Sequence, residues 1–156
     1  MPEIPPTSSA TMGPRATRLI VVALLALIGG LLFASARQES QTVDEACHLF
    51  AGFAYWKHAD FGRNPEHPPL AKLHASAPLL TMGLKEPSLE PNAFFKIQDY
   101  TNGAYLLYTA NADAILLRGR MVIAFFSVTL ALLVFFAAQE MFESAYWDHR
   151  TQPLRL

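Results

Sequence analysis

Seven side chains have the types and spacing to do chemistry together. Asp44 and Glu45 are adjacent carboxylates, with His48 one helical turn beyond Asp44. Glu66, His67 and Lys72 follow further along the same stretch, and Arg120 comes later. A carboxylate such as Asp44 can serve as a general base or help hold a metal near a phosphate. Glu45 has a structural use as well, because Thr42-Val43-Asp44-Glu45 has the form of a capping box. Asp44 can equally complement the dipole of the helix that the box would start. Asp44, His48 and His67 supply nitrogen and oxygen ligands that suit several metals, although their spacing matches no recognised ligand motif. Surface histidines are the simpler reading of the last two. Lys72 and Arg120 could contact phosphate, Arg120 through the planar fork of its guanidinium. As the positive flank of an apolar run, Arg120 would also be unremarkable.

The elements that must position these groups are dominated by two uncharged apolar runs. The chain of 156 residues is 52% apolar, and that bias is concentrated in residues 19–36 and 121–138. At about 1.5 Å per residue, each run makes a helix of roughly 27 Å, close to the thickness of a bilayer core. Lipid offers no hydrogen-bond partners to the backbone, so a single span must be helical. The expected fold is therefore an all-α membrane protein, two transmembrane helices flanking an extracytoplasmic loop over 37–120. Residues 1–18, rich in Pro, Ser and Thr and ending in Arg15 and Arg18, read as a disordered cytoplasmic tail. Residues 139–156 read as a polar cytoplasmic tail. Ala34-Ser35-Ala36 also fits a signal-peptide cleavage site, which would leave the loop on the same side. The formal net charge of −1 gives no reason to expect nucleic acid as a partner. Cys47 is the only cysteine and cannot form an internal disulfide.

Within the loop, Ala46, Leu49, Phe50 and Phe53 recur at helical spacing, which predicts an amphipathic helix at the membrane surface. Tyr55 and Trp56 would sit near the interface. After a turn at Gly62-Arg63-Asn64-Pro65, Pro68 and Pro69 should start a second helix with Leu70, Leu73 and Ala77 facing inward. Residues 85–92 form a proline-punctuated loop. Residues 93–117 look helical, with an interruption near Thr101-Asn102-Gly103.

Three segments resemble the start of a membrane glycosyltransferase of the GT-C superfamily, in the protein O-mannosyltransferase and aminoarabinose-transferase group. The first is Thr42-Val43-Asp44-Glu45-Ala46-Cys47-His48, leading into Ala51-Gly52-Phe53-Ala54-Tyr55 and Ala59-Asp60-Phe61. The second and most specific is Asn64-Pro65-Glu66-His67-Pro68-Pro69-Leu70-Ala71-Lys72. The third is Leu116-Leu117-Arg118-Gly119-Arg120, entering a span that closes in Gln139-Glu140-Met141-Phe142.

The resemblance implies a multi-pass enzyme of a bacterial inner membrane. Helices of its first periplasmic loop would lie along the membrane and line the active site. Such enzymes transfer a sugar, with inversion, from a polyprenyl-phosphate donor to an extracytoplasmic acceptor. Asp44 takes the place of the catalytic base and Glu45 that of its companion acid. His48, Glu66 and His67 fall in the cavity region, and Lys72 and Arg120 would reach the donor phosphate. A divalent cation is allowed but not required, and no other cofactor is implied. Members of the group have many more spans than the two here, and the sequence after Glu143 departs from theirs. The chain therefore reads as an N-terminal part of such an enzyme, inactive by itself. The alternative is a small two-span protein that binds a partner or serves as an assembly subunit without catalysis.

Overall fold

The computed structural model describes residues 13–88 and 95–151, the side chains of 95–97 and 143–151 excepted. The described residues form five α-helices: α1 (Pro14–Gln38), α2 (Glu45–His58), α3 (Pro69–Ser76), α4 (Phe95–Tyr108) and α5 (Ala112–Thr151). A 3-10 turn, Ala77–Thr81, extends α3. There is no strand among them.

Two of these helices are long and apolar enough to cross a membrane: Pro14–Gln38 and the Ala112–Phe142 part of α5. They run antiparallel, since Ala36 of α1 meets Arg120 of α5 while Gly29 faces Val128. α1 buries no residue of its own. Its Leu19, Val22, Leu27 and Leu31 are open to the surroundings, as are Phe125, Leu130 and Leu133 on α5. Such surface is costly in water and free of cost in lipid.

Both helices exceed the expected bounds. α1 begins at Pro14, inside the stretch expected to be a disordered tail, because proline suits the first helical position and its missing N–H costs nothing there. Residues 1–12 of that tail lie outside the described residues. α5 begins well before residue 121 and continues through Thr151, so the expected tail is helical over 139–151. No proline or glycine lies between Arg120 and Thr151 to stop it.

The protein core is built on α2, not on the long helices. Ala46, Cys47, Leu49, Phe50 and every residue from Ala51 to Tyr55 are buried. The helix expected to lie on a membrane surface packs against α3, α4 and the first turns of α5. Its small residues allow this. A Cβ on Gly52 would lie 2.2 Å from the Lys72 carbonyl oxygen, and one on Gly103 would lie 2.6 Å from the backbone of Ala46. Gly103 therefore does not interrupt α4, which runs unbroken to Tyr108. The break falls later, at Thr109-Ala110-Asn111, where the Asn111 side chain accepts a hydrogen bond from the Ala114 N–H at 3.0 Å and caps α5. α3 starts at Pro69 as expected, but its register differs. Lys72, Ser76 and Leu79 point inward, while Leu70 is exposed.

Candidate functional site

Where α1 ends and α5 enters its apolar stretch, the four elements α1, α2, α3 and α5 enclose a cavity of about 610 Å³. Asp44, Glu45, His48, His67, Lys72 and Arg120 all line it, with Glu39 from the end of α1. Leu32, Ala36, Ile123 and Ala124 supply its apolar side. Six of the seven expected residues thus meet in one place. Glu66 is exposed and does not line the cavity, although its charge acts on Lys72.

Each polar group is set by local structure. Glu45 opens α2 and its carboxylate accepts the Thr42 N–H at 3.3 Å, which is one half of the expected capping box. The other half is absent, because the Thr42 hydroxyl turns to Asp44 Oδ1 at 3.3 Å. That leaves Asp44 at the mouth of α2 with 58% of its side chain exposed and Oδ2 3.5 Å from His48 Nε2. His67, brought over α2 by the Pro68-Pro69 start of α3, meets the His48 ring edge-on at 5.0 Å between centroids. His48 Nδ1 is buried and has no hydrogen-bond partner. No group of three metal-ligating side chains converges among the described residues, so Asp44, His48 and His67 do not form a ready-made metal site.

The two cations differ. Arg120 spends every N–H of its fork. It pairs with both oxygens of Glu45 at 2.7 Å and donates to the carbonyls of Ala36, Glu39 and Ser40 at 2.8–3.0 Å. Arg120 and Glu45 are thus committed to each other. Lys72 is 96% buried by its 4% exposure, and its ammonium donates to the Tyr55 hydroxyl at 3.1 Å and to the Asn64 carbonyl. All its hydrogen-bonding partners are neutral. Burial consequently pulls the Lys72 pKa below that of an ordinary lysine, while Cys47, Asp99 and Glu66 push it back up.

Beneath the cavity lies a buried polar network that the sequence did not announce. Asp99, 1% exposed, accepts the Asn64 N–H at 2.8 Å and an Arg63 N–H at 3.4 Å. Arg63 also donates to Gln98 at 2.6 Å and to Asp60 at 3.2 Å. The Tyr55 hydroxyl donates to the Arg63 carbonyl, and the Asn64 amide donates to Cys47 Sγ at 3.1 Å. Burial raises the Asp99 carboxyl above its ordinary range despite these donors, and it raises the Cys47 thiol too. Tyr55, expected at a membrane interface, belongs to this network, whereas Trp56 is half exposed and donates to the Leu73 carbonyl at 2.8 Å. The network fixes Asn64 in a left-handed conformation, φ 43°, and so sets the path of the chain into His67 and α3.

The cavity therefore joins a polar floor, with a half-exposed carboxylate beside two imidazoles and a buried ammonium, to an apolar cleft between two long helices. A ligand with a polar head and a hydrocarbon tail fits that division. No family model, curated protein or solved structure matches this chain.

Proposed function

We propose that this chain carries the acidic catalytic loop of an inverting glycosyltransferase of the GT-C kind. Its donor would be a polyprenyl-phosphate sugar, and it would work on the periplasmic face of a bacterial inner membrane. The observation that carries the reading is the single cavity uniting Asp44, His48, His67 and Lys72 beside two apolar helices.

In this reading Asp44 is the base. Its exposed carboxylate takes the proton of an acceptor hydroxyl as that oxygen attacks the sugar carbon. His48 Nε2, 3.5 Å away, and the Thr42 hydroxyl hold the carboxylate in place. The polyprenyl phosphate leaves as an anion, and Lys72, a lining residue whose ammonium bonds Tyr55 and Asn64, would supply the compensating positive charge. Glu45, the companion acid, is held by Arg120 and shapes the cavity without taking the proton. The acceptor is a hydroxyl of a protein, lipid or glycan. Further helices would complete the donor groove.

The test is transfer of radiolabelled sugar from a polyprenyl phosphate in membranes, with the remaining helices supplied by a full-length glycosyltransferase of this group. Removing a general base costs roughly 10²–10⁴ in rate, so Asp44→Asn should lower transfer at least about a hundredfold. Unchanged transfer in Asp44→Asn would remove Asp44 from the role of base. Absence of transfer by the unsubstituted protein, with stable association to another membrane protein, would favour the assembly-subunit reading.

A further inference from the structure

The cavity has one wall that is held differently from the others. α2, α3 and α5 interlock through buried side chains, but α1 buries none and, among the described residues, packs chiefly against α5. Its contribution to the cavity, from Leu32 to Glu39, faces Ile123, Ala124 and Ser127 across a cleft whose outer sides are apolar. At the top of that cleft stands Arg120. Three of its N–H groups reach the carbonyls of Ala36, Glu39 and Ser40, where α1 ends and its last carbonyls lack helical partners. The remaining two grip Glu45 at the start of α2. One guanidinium therefore joins the C-terminal end of α1, the N-terminal end of α2 and α5.

We propose that Arg120 is a latch: it holds α1 against α5 and so closes the cavity toward the bilayer, instead of binding a ligand phosphate. This does not rest on the glycosyltransferase reading, since it concerns how the wall is held, whatever the cavity accepts. With the latch in place, α1 stands against α5 and narrows the cleft between Leu32 and Ile123. Without it, α1 keeps only its contacts between apolar and small side chains with α5. Those contacts compete with equally apolar lipid tails, so they hold the helix weakly. The cavity would then open sideways, between α1 and α5, to a hydrocarbon chain. Glu45 belongs to the latch because both of its oxygens accept from Arg120, fixing the plane of the fork.

Disulfide trapping in membranes tests this. Gly29 and Val128 face each other at 4.0 Å, measured from a Cβ built on Gly29, so Gly29→Cys with Val128→Cys should cross-link readily under a mild oxidant. Cys47 is buried, and the single-cysteine proteins control for it. Adding Arg120→Ala should slow cross-linking about tenfold, the change expected if close α1–α5 pairs fall from dominant to minor. Arg120→Lys keeps the charge but reaches fewer of the carbonyls and cannot grip Glu45 with two prongs. It should restore part of the rate. Cross-linking in a folded Arg120→Ala protein at the unsubstituted rate would overturn the proposal. Should Arg120→Ala fail to fold, Arg120→Lys and Glu45→Gln decide: a rate unchanged in both would overturn the latch, and a slowed rate in either supports it.

Discussion

α1 and α2 are both rich in apolar residues, yet α1 buries none of its residues and α2 buries nine of its fourteen. Both carry small residues, and the difference lies in what reaches them. In α1 nothing packs within 4 Å of a Cβ built on Gly30, and one on Gly29 meets only a Val128 methyl at 4.0 Å. α2 carries Ala46, Cys47, Ala51, Gly52 and Ala54, which let the backbones of α3 and α4 come close. An apolar helix stays open where no neighbouring backbone reaches its small residues. It meets protein when small residues open grooves for other backbones.

Glycine substitutions in the two helices sharpen this contrast most. Gly52→Val should destabilise the fold by about 3 kcal/mol or more, because its Cβ would lie 2.2 Å from a backbone carbonyl that cannot step aside. Gly30→Val, in the open helix, should leave the thermal midpoint in detergent within a degree or two of the unsubstituted protein, about 0.5 kcal/mol at most. Equal effects at the two positions would break the distinction between the open helix and the core helix.

The next largest effect belongs to the network under α2. Asp99→Ala removes a buried carboxylate partner of the Arg63 guanidinium, and breaking a buried pair costs about 3 kcal/mol. The same residue gives the core a pH signature. Asp99 has a folded-state pKa above its ordinary 3.8, so between those values the folded state binds more protons than the unfolded. Stability must then fall as pH rises through that window. It should be recovered as the carboxyl protonates. Thermal unfolding followed from acid toward neutral pH should show this decline in the unsubstituted protein and a flatter profile in Asp99→Asn. An unaltered slope in Asp99→Asn would assign the pH response to other groups.

The two long apolar helices were legible because uncharged runs of that length favour a continuous helix, and the cavity residues were legible because their types are chemical. What pairs with them was not. Arg63 read as part of a turn and Asp99 carried no reading at all, since nothing along the chain links positions so far apart. Gly103 shows a different limit. A glycine in a helical pattern signals either a break or a close approach, and only the position of Ala46 in space decides between them. The inward register of α3 was missed for a related reason. Lys72 is buried because Tyr55 and Asn64 offer its ammonium partners, and that outweighs the preference of Leu70 for the interior.

Asn111 offers the smallest and most local test, and it bears on where the lipid-facing helix begins. Its side chain caps α5 ten residues before the apolar run, accepting the Ala114 N–H. The turns between Asn111 and Arg120 carry Ile115, Leu116 and Gly119, all of which pack into the protein core. α5 is therefore core-like in its first turns and lipid-like afterwards, so one helix contains both sides of the comparison between α1 and α2. Losing the cap should cost about 1 kcal/mol, felt where the helix is bound to protein. Asn111→Ala should accordingly raise amide exchange over residues 112–116 while leaving 125–135 as slow as before, and Asn111→Asp should retain most of the protection. Faster exchange along the whole of α5 would mean that its two parts open as one unit.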